Sequence, residues 1–158
     1  MRRSDLEPAN AAAARSAALD MLARRDRASG QIFTKLTGHG YLPEVAAQVV
    51  ADLVGENLIN DRRYVEHFVA YHAGRGQGPL KVRGELRQSG VDAELIDEIL
   101  EAYSEWNIRA QEARKKKFGA RLPAQYAEKA RQSRFLAYRG FTGSQIRSAL
   151  DSTIDYET

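Results

Sequence analysis

Arg114-Lys115-Lys116-Lys117 is the densest run of charge in this chain of 158 residues. The chemistry open to it is electrostatic: holding phosphate, or the acidic face of a protein. Arg109, Arg121, Lys129, Arg131, Arg134 and Arg139 lie in the same stretch. The formal net charge of +3 conceals how unevenly these residues are placed. Residues 1–60 hold seven basic and seven acidic side chains, residues 61–108 hold six and nine, and residues 109–158 hold eleven and five. The last third therefore carries the footprint of a surface that meets phosphate or an acidic partner. The plainer reading, a solvated helix face, accounts for the run alone. A second basic group, Arg62, Arg63, Lys81, Arg83 and Arg87, stands in the otherwise acidic middle third, with Tyr64 beside it.

Other residues capable of chemistry offer less. Gly74-Arg75-Gly76-Gln77-Gly78-Pro79 invites a phosphate-loop reading, but a helix and not a strand precedes it, so the nucleotide fingerprint fails on context. It reads as a turn that ends with Pro79 at a helix start. A weaker possibility is that free amides at that helix N-terminus, with Lys81 and Arg83 near, hold one backbone phosphate. His39, His67 and His72 are scattered, and no nucleophile–base pair or acidic pair presents itself, so an enzyme, a metal or a cofactor is not expected. Trp106, with Tyr103 three residues earlier on the same helical face, is expected to pack between modules and not to stack on bases.

The elements that must position these residues repeat at an interval of fifty. Leu36, Leu86 and Leu136 are in register, as are Gly40, Gly90 and Gly140, each glycine followed by an apolar residue (Tyr41, Val91, Phe141). Three copies within one short chain predict a tandem all-α array of three three-helix modules, elongated and curved, with no sheet. The expected division is a tail over 1–14 and modules over 15–60, 61–108 and 109–158. Each glycine falls where a left-handed cap would end a helix. Pro43 suits a first helical turn, Asp92 an N-cap, and Thr142 with Gln145 a capping box. The second and third helices of each unit have a helix–turn–helix outline, but the third helices lack the Arg, Asn and Gln of a recognition helix.

The chain has no cysteine, which fits a reducing compartment. Asp5, Glu7 and Pro8 interrupt any secretory apolar segment, and no stretch reaches the length needed to span a bilayer. The expectation is a soluble, cytoplasmic protein.

Several of these residues also form a pattern that resembles the RecX regulatory proteins of bacteria. Its most specific part is Asp61-Arg62-Arg63-Tyr64-Val65 with Phe68-Val69, then Gly78-Pro79, Val82, Glu85-Leu86 and Gly90-Val91. Ala18-Leu19, with Leu22-Ala23-Arg24-Arg25, is similar to the family's opening, and Arg134-Phe135-Leu136, with Arg139-Gly140-Phe141, to its close. Gly30-Gln31 and Arg63-Tyr64 depart from the usual pattern. The resemblance implies a monomer that binds the RecA recombinase filament on DNA and inhibits strand exchange, ATP hydrolysis and co-protease activity, within DNA repair, homologous recombination and the SOS response. It also implies weak electrostatic contact with single- or double-stranded DNA. The residues expected to carry it are Arg62, Arg63, Tyr64, Lys81, Arg83, Arg87, Arg114, Lys115, Lys116, Lys117, Arg131, Arg134 and Arg139. The alternative is a plain DNA-binding protein using a basic helical face.

Overall fold

A computed structural model describes residues 7–151; parts of the expected tail and of the last module lie outside the described residues. The described residues form nine α-helices and no strand. These are α1 (Ala11–Arg24), α2 (Ser29–Gly38), α3 (Pro43–Gly55), α4 (Asp61–Gly74), α5 (Pro79–Leu86), α6 (Ala93–Ala102), α7 (Trp106–Phe118), α8 (Tyr126–Tyr138) and α9 (Gly143–Asp151). A single 3₁₀ turn, Arg87–Ser89, follows α5. α1 begins four residues inside the segment expected to be a tail. Asn10 caps it, accepting from the Ala13 amide at 3.0 Å, and Ala14 is already buried. Among the described residues no helix is long and apolar enough to cross a membrane.

The fifty-residue repeat has a physical origin at the ends of α2 and α8. The Tyr41 amide donates to the Leu36 carbonyl (3.2 Å) and the Gly40 amide to that of Thr37 (3.0 Å). After α8, Phe141 donates to Leu136 (3.1 Å) and Gly140 to Ala137 (3.0 Å). Both ends are Schellman caps: glycine takes the left-handed position, and the apolar residue after it packs over the leucine. Gly40, Gly90 and Gly140 have φ of 103°, 81° and 95°, and Leu36, Leu86 and Leu136 are fully buried. The periodic leucine, glycine and apolar residue are thus one capping device used repeatedly.

By compactness the described residues fall into two units. The first comprises the chain up to Val65 together with Arg87–Ala93, and the second Glu66–Leu86 with the chain from Glu94 onward. In the first, α1, α2 and α3 enclose Ala14, Ala18, Ile32, Leu36, Tyr41, Ala46, Val49, Leu53 and Ile59. The N-terminus of α2 is closed by Asp61, whose carboxylate accepts from the Ser29 amide (2.7 Å) and hydroxyl (2.6 Å). The two positions that depart from the RecX-like pattern meet here, as the Gln31 amide donates to the Tyr64 hydroxyl at 3.3 Å.

In the second unit α5, α6, α7, α8, α9 and the α8–α9 turn bring Val82, Leu86, Ile96, Ile99, Trp106, Ala110, Leu136, Phe141 and Ala149 out of water. Thr142 and Gln145 form the expected capping box on α9 (2.9 and 3.3 Å). Pro43 and Pro79 open α3 and α5, and α6 begins directly after Asp92. Gly78 and Gly140 touch through bare backbone. A Cβ on Gly78 would collide with the Gly140 carbonyl and the Phe141 amide, and one on Gly140 with Lys81. Gly140 therefore needs to be glycine twice, for its positive φ and for this approach. Gly30 and Gly90 make the corresponding approach in the first unit, where a Cβ on Gly30 would lie 3.2 Å from the Gly90 Cα.

Candidate functional site

The basic residues of the middle third have individual tasks. Arg63 donates to both Asp26 oxygens (3.2 and 3.3 Å) and to the Asn57 and Leu58 carbonyls (3.3 and 3.4 Å). The Asp26 carboxylate raises its pKa further, so Arg63 is a fixed cation that ties the end of α3 to the α1–α2 loop. Tyr64 is held by Gln31, and Arg62 is exposed but engaged. Arg87 is exposed in the 3₁₀ turn. In the second unit Arg83 pairs with Asp97 at 2.5 Å, and the Lys81 ammonium lies 5.3 Å from the centre of the Tyr138 ring.

The basic run splits. Arg114 is 4% exposed, which corrects its place on a solvent-facing strip. Its guanidinium donates to the carbonyls of Arg121 (3.2 Å) and Ala120 (3.5 Å) and to Gln132 (3.5 Å). Gln132 in turn donates to Glu128 at 3.0 Å. Arg114 therefore staples the α7–α8 connection. Burial lowers its pKa, yet it stays charged because arginine's ordinary value is so high. Lys115, Lys116 and Lys117, which follow Arg114 round the helix, face water. Arg131 leans on Glu128 (3.4 Å) and lies 5.2 Å from the Phe118 ring centre, while Arg134 is exposed.

A cavity of about 320 Å³ gathers cations from separate segments of the second unit. Gly74, Arg75 and Gly76 at the end of α4, Arg109, Glu112, Lys116 and Lys117 on α7, and Phe135 and Arg139 at the end of α8 line it. Phe135 is its aromatic wall, with the Arg139 guanidinium 5.4 Å and the Lys117 ammonium 5.9 Å from the ring centre. Arg75 lies 5.4 Å from the centre of the Tyr71 ring and donates to its hydroxyl (3.1 Å). Arg109 is answered by Tyr103, Glu112 and Glu105 (3.1, 3.2 and 3.0 Å), and the Tyr103 hydrogen bond raises its pKa. Sequence reasoning marked Lys116, Lys117 and Arg139 but missed Arg75 and Arg109. The glycines around Arg75 were the available signal.

That glycine loop does not use the end expected of it. The Gly78 and Leu80 amides donate to the Arg139 and Gly140 carbonyls (2.7 and 2.9 Å), so these two amides at the start of α5 are taken by backbone and are not offered to phosphate. The other end of the loop, Gly74 to Gly76, lines the cavity instead. Trp106 is 7% exposed, donates to the Leu100 carbonyl at 3.0 Å and packs on Tyr103, which makes it a core residue and not a stacking platform. His72 packs on Phe68 and Tyr71 and lies 3.9 Å from Glu85. Among the described residues no three His, Cys, Asp or Glu side chains group as metal ligands.

Comparison with known proteins adds an independent line. Three family models match in succession: RecX, first three-helix domain, over residues 14–53, the second over 60–100 and the third over 109–150. Regulatory protein RecX of Halorhodospira halophila is 42% identical over 138 residues, covering 87% of this chain and 86% of that protein. The protein of the same name from Pseudomonas fluorescens is 37% identical over 139 residues, covering 87% and 90%. The crystal structure of RecX from Lactobacillus salivarius aligns with a TM-score of 0.77 at 19% identity, covering 88% of this chain and 93% of that one. At that identity the likeness speaks for the fold.

Proposed function

The chain belongs to the RecX family, and from that premise we propose that it binds RecA recombinase filaments on DNA. Bound there, it lowers strand exchange, ATP hydrolysis and co-protease activity. The observation that carries this reading is the family match in three consecutive segments, together with relatives named as regulatory proteins over nearly their whole length. It acts as a cytoplasmic monomer of three helical modules divided near residues 60 and 108.

The contact residues we propose are Lys81, Lys115, Lys116, Lys117, Arg131, Arg134 and Arg139 in the second unit and, separately, Arg62 and Arg87 in the first. A filament exposes DNA phosphates beside acidic protein side chains, and exposed cations serve both. Arg63 and Tyr64 in the first unit, and Arg83 and Arg114 in the second, support these contacts by fixing their own helices, because each already has partners within the chain.

The test is a titration of the chain into recombinase ATPase and strand-exchange assays at several salt concentrations. The expected result is inhibition, with tighter binding to recombinase-coated strands than to bare ones. The cationic cavity favours the second reading, a plain DNA binder, and that reading predicts equal binding to bare and coated strands. Its log affinity should fall against log salt with a slope of about −0.9 for each duplex phosphate contacted.

A further inference from the structure

We propose that the loop between α1 and α2 holds a docking site for an acidic segment of a partner protein, with Arg27 taking one carboxylate and Arg24 and Arg25 assisting it. Arg27 is 8% exposed, and its Nε is shut off from solvent without a hydrogen-bond partner. Burial above all, then the charges of Arg25 and Arg24, lowers its pKa. The two carboxylates close by are taken, Asp26 by Arg63 and Asp61 by the Ser29 amide and hydroxyl. Arginine keeps its proton, so the loop carries a buried charge beside like charges, with no acid among the described residues to offset it. Arg114 shows the contrast: it is buried as deeply, but its guanidinium reaches two carbonyls and a glutamine. Snorkelling buries the methylenes of an arginine and leaves its nitrogens in water, so it does not account for the buried Nε. A carboxylate arriving from outside supplies the missing acceptor.

The surroundings favour a protein carboxylate over a phosphate. Residues 1–60 hold seven basic and seven acidic side chains, so this region lacks the field that gathers a polyanion. Asp26 and Asp61 also repel a phosphate dianion more than a carboxylate. A guanidinium offers parallel N–H donors that match the two carboxylate oxygens. An open groove of about 330 Å³ adjoins the cluster through Ala23 and Asp26, lined also by Leu19, Leu22 and Leu58. Leu58 is 43% exposed. A free carboxylate has no use for this groove, whereas a segment carrying an apolar residue beside its acids fills both. These residues all belong to the first unit.

The site is independent of the filament reading, and a failed recombinase assay would leave it standing. Fluorescence anisotropy of the full chain with a labelled peptide of glutamates flanking one leucine tests it. Arg27→Met keeps the side chain long and removes the charge. Its melt should equal or exceed the parent's, since an unpaired buried charge is lost. Peptide affinity should fall at least about tenfold. Saturating peptide should raise the melting temperature of the parent and not of this variant. Arg24→Ala/Arg25→Ala, at two exposed positions, should melt like the parent and bind about threefold more weakly or worse. Lys35→Ala, an exposed loss of one charge elsewhere in the unit, should bind like the parent. An Arg27→Met variant that melts well below the parent would show a partner for Arg27 inside the fold and overturn the site. Absence of peptide binding by the parent, or equal loss in the Lys35→Ala control, would also overturn it. Equal binding of a peptide with glycine in place of leucine, or displacement by equimolar acetate, would overturn it in favour of a free-anion site. Tighter binding of oligothymidine than of the peptide to the same arginines would overturn it in favour of nucleic acid.

Discussion

Arg63 in the first unit and Arg139 in the second are the same side chain in opposite circumstances. Arg63 meets a carboxylate from 37 residues earlier in the chain and two backbone carbonyls, and these acceptors use most of its donors. Arg139 meets a phenylalanine ring, which orients a cation and leaves its hydrogen-bonding capacity open. The difference teaches that an arginine's availability is set by which acceptors the fold delivers to it and not by the density of charge around it in sequence. Arg114 and Lys116 repeat the lesson two residues apart. One is buried against carbonyls, and the other faces an open cavity.

The hardest test of that contrast is Arg114→Glu. A carboxylate placed against the Ala120 and Arg121 carbonyls, with Gln132 losing its donor, should destabilise by about 4 kcal/mol in urea unfolding. Lys115→Glu, one residue on and exposed, should stay within about 0.5 kcal/mol of the parent. Equal stability of the two variants would erase the distinction between engaged and open cations.

A smaller effect sharpens the same comparison for the backbone. Gly119 and Gly140 both have positive φ (89° and 95°), but only at Gly140 would a Cβ strike another segment. Gly119, with ψ of 177°, lies in a region that essentially only glycine occupies, so Gly119→Ala should cost about 2 kcal/mol, and Gly140→Ala, with the collision added, about 3 kcal/mol or more. Thermal melts that rank the two equally would show that Lys81 and its helix simply move aside.

Next in size is binding. Reversing Lys115, Lys116 and Lys117 to glutamate, with Arg114 kept, should leave the melt unchanged. Affinity for recombinase filaments should fall at least tenfold, about 1.4 kcal/mol. Unchanged filament binding at low salt would reduce the three lysines to a solvated face. The smallest expected change is Arg63→Ala. Its pair with Asp26 is part-exposed, so stability should drop by about 1 kcal/mol, with filament affinity within about twofold of the parent. A tenfold loss of affinity with normal stability would move Arg63 from supporting residue to contact.

Much of this architecture was readable along the chain because it depends on local rules. Leu36, Gly40 and Tyr41, and Leu136, Gly140 and Phe141 a hundred residues on, mark helix ends, since a Schellman cap is closed by residues at most five apart. Pro43, Pro79 and the Thr142–Gln145 box mark helix starts for the same reason. The candidate site was only partly readable. Lys116, Lys117 and Arg139 stood out by charge, but Arg75 lay in a loop whose glycines drew attention to its far end. That end proved to be closed by the Arg139 and Gly140 carbonyls.

The sequence by itself determined the number of helices, their ends and the register of the repeat, because capping and amphipathic periodicity act within a few residues. Which cations are engaged and which are open was decided by the tertiary structure alone. Asp26 reaches Arg63 across 37 positions, and Gln132 reaches Arg114 across 18. An electrostatic partner needs only to be near in space, and no local pattern along the chain records how folding brings such distant residues together.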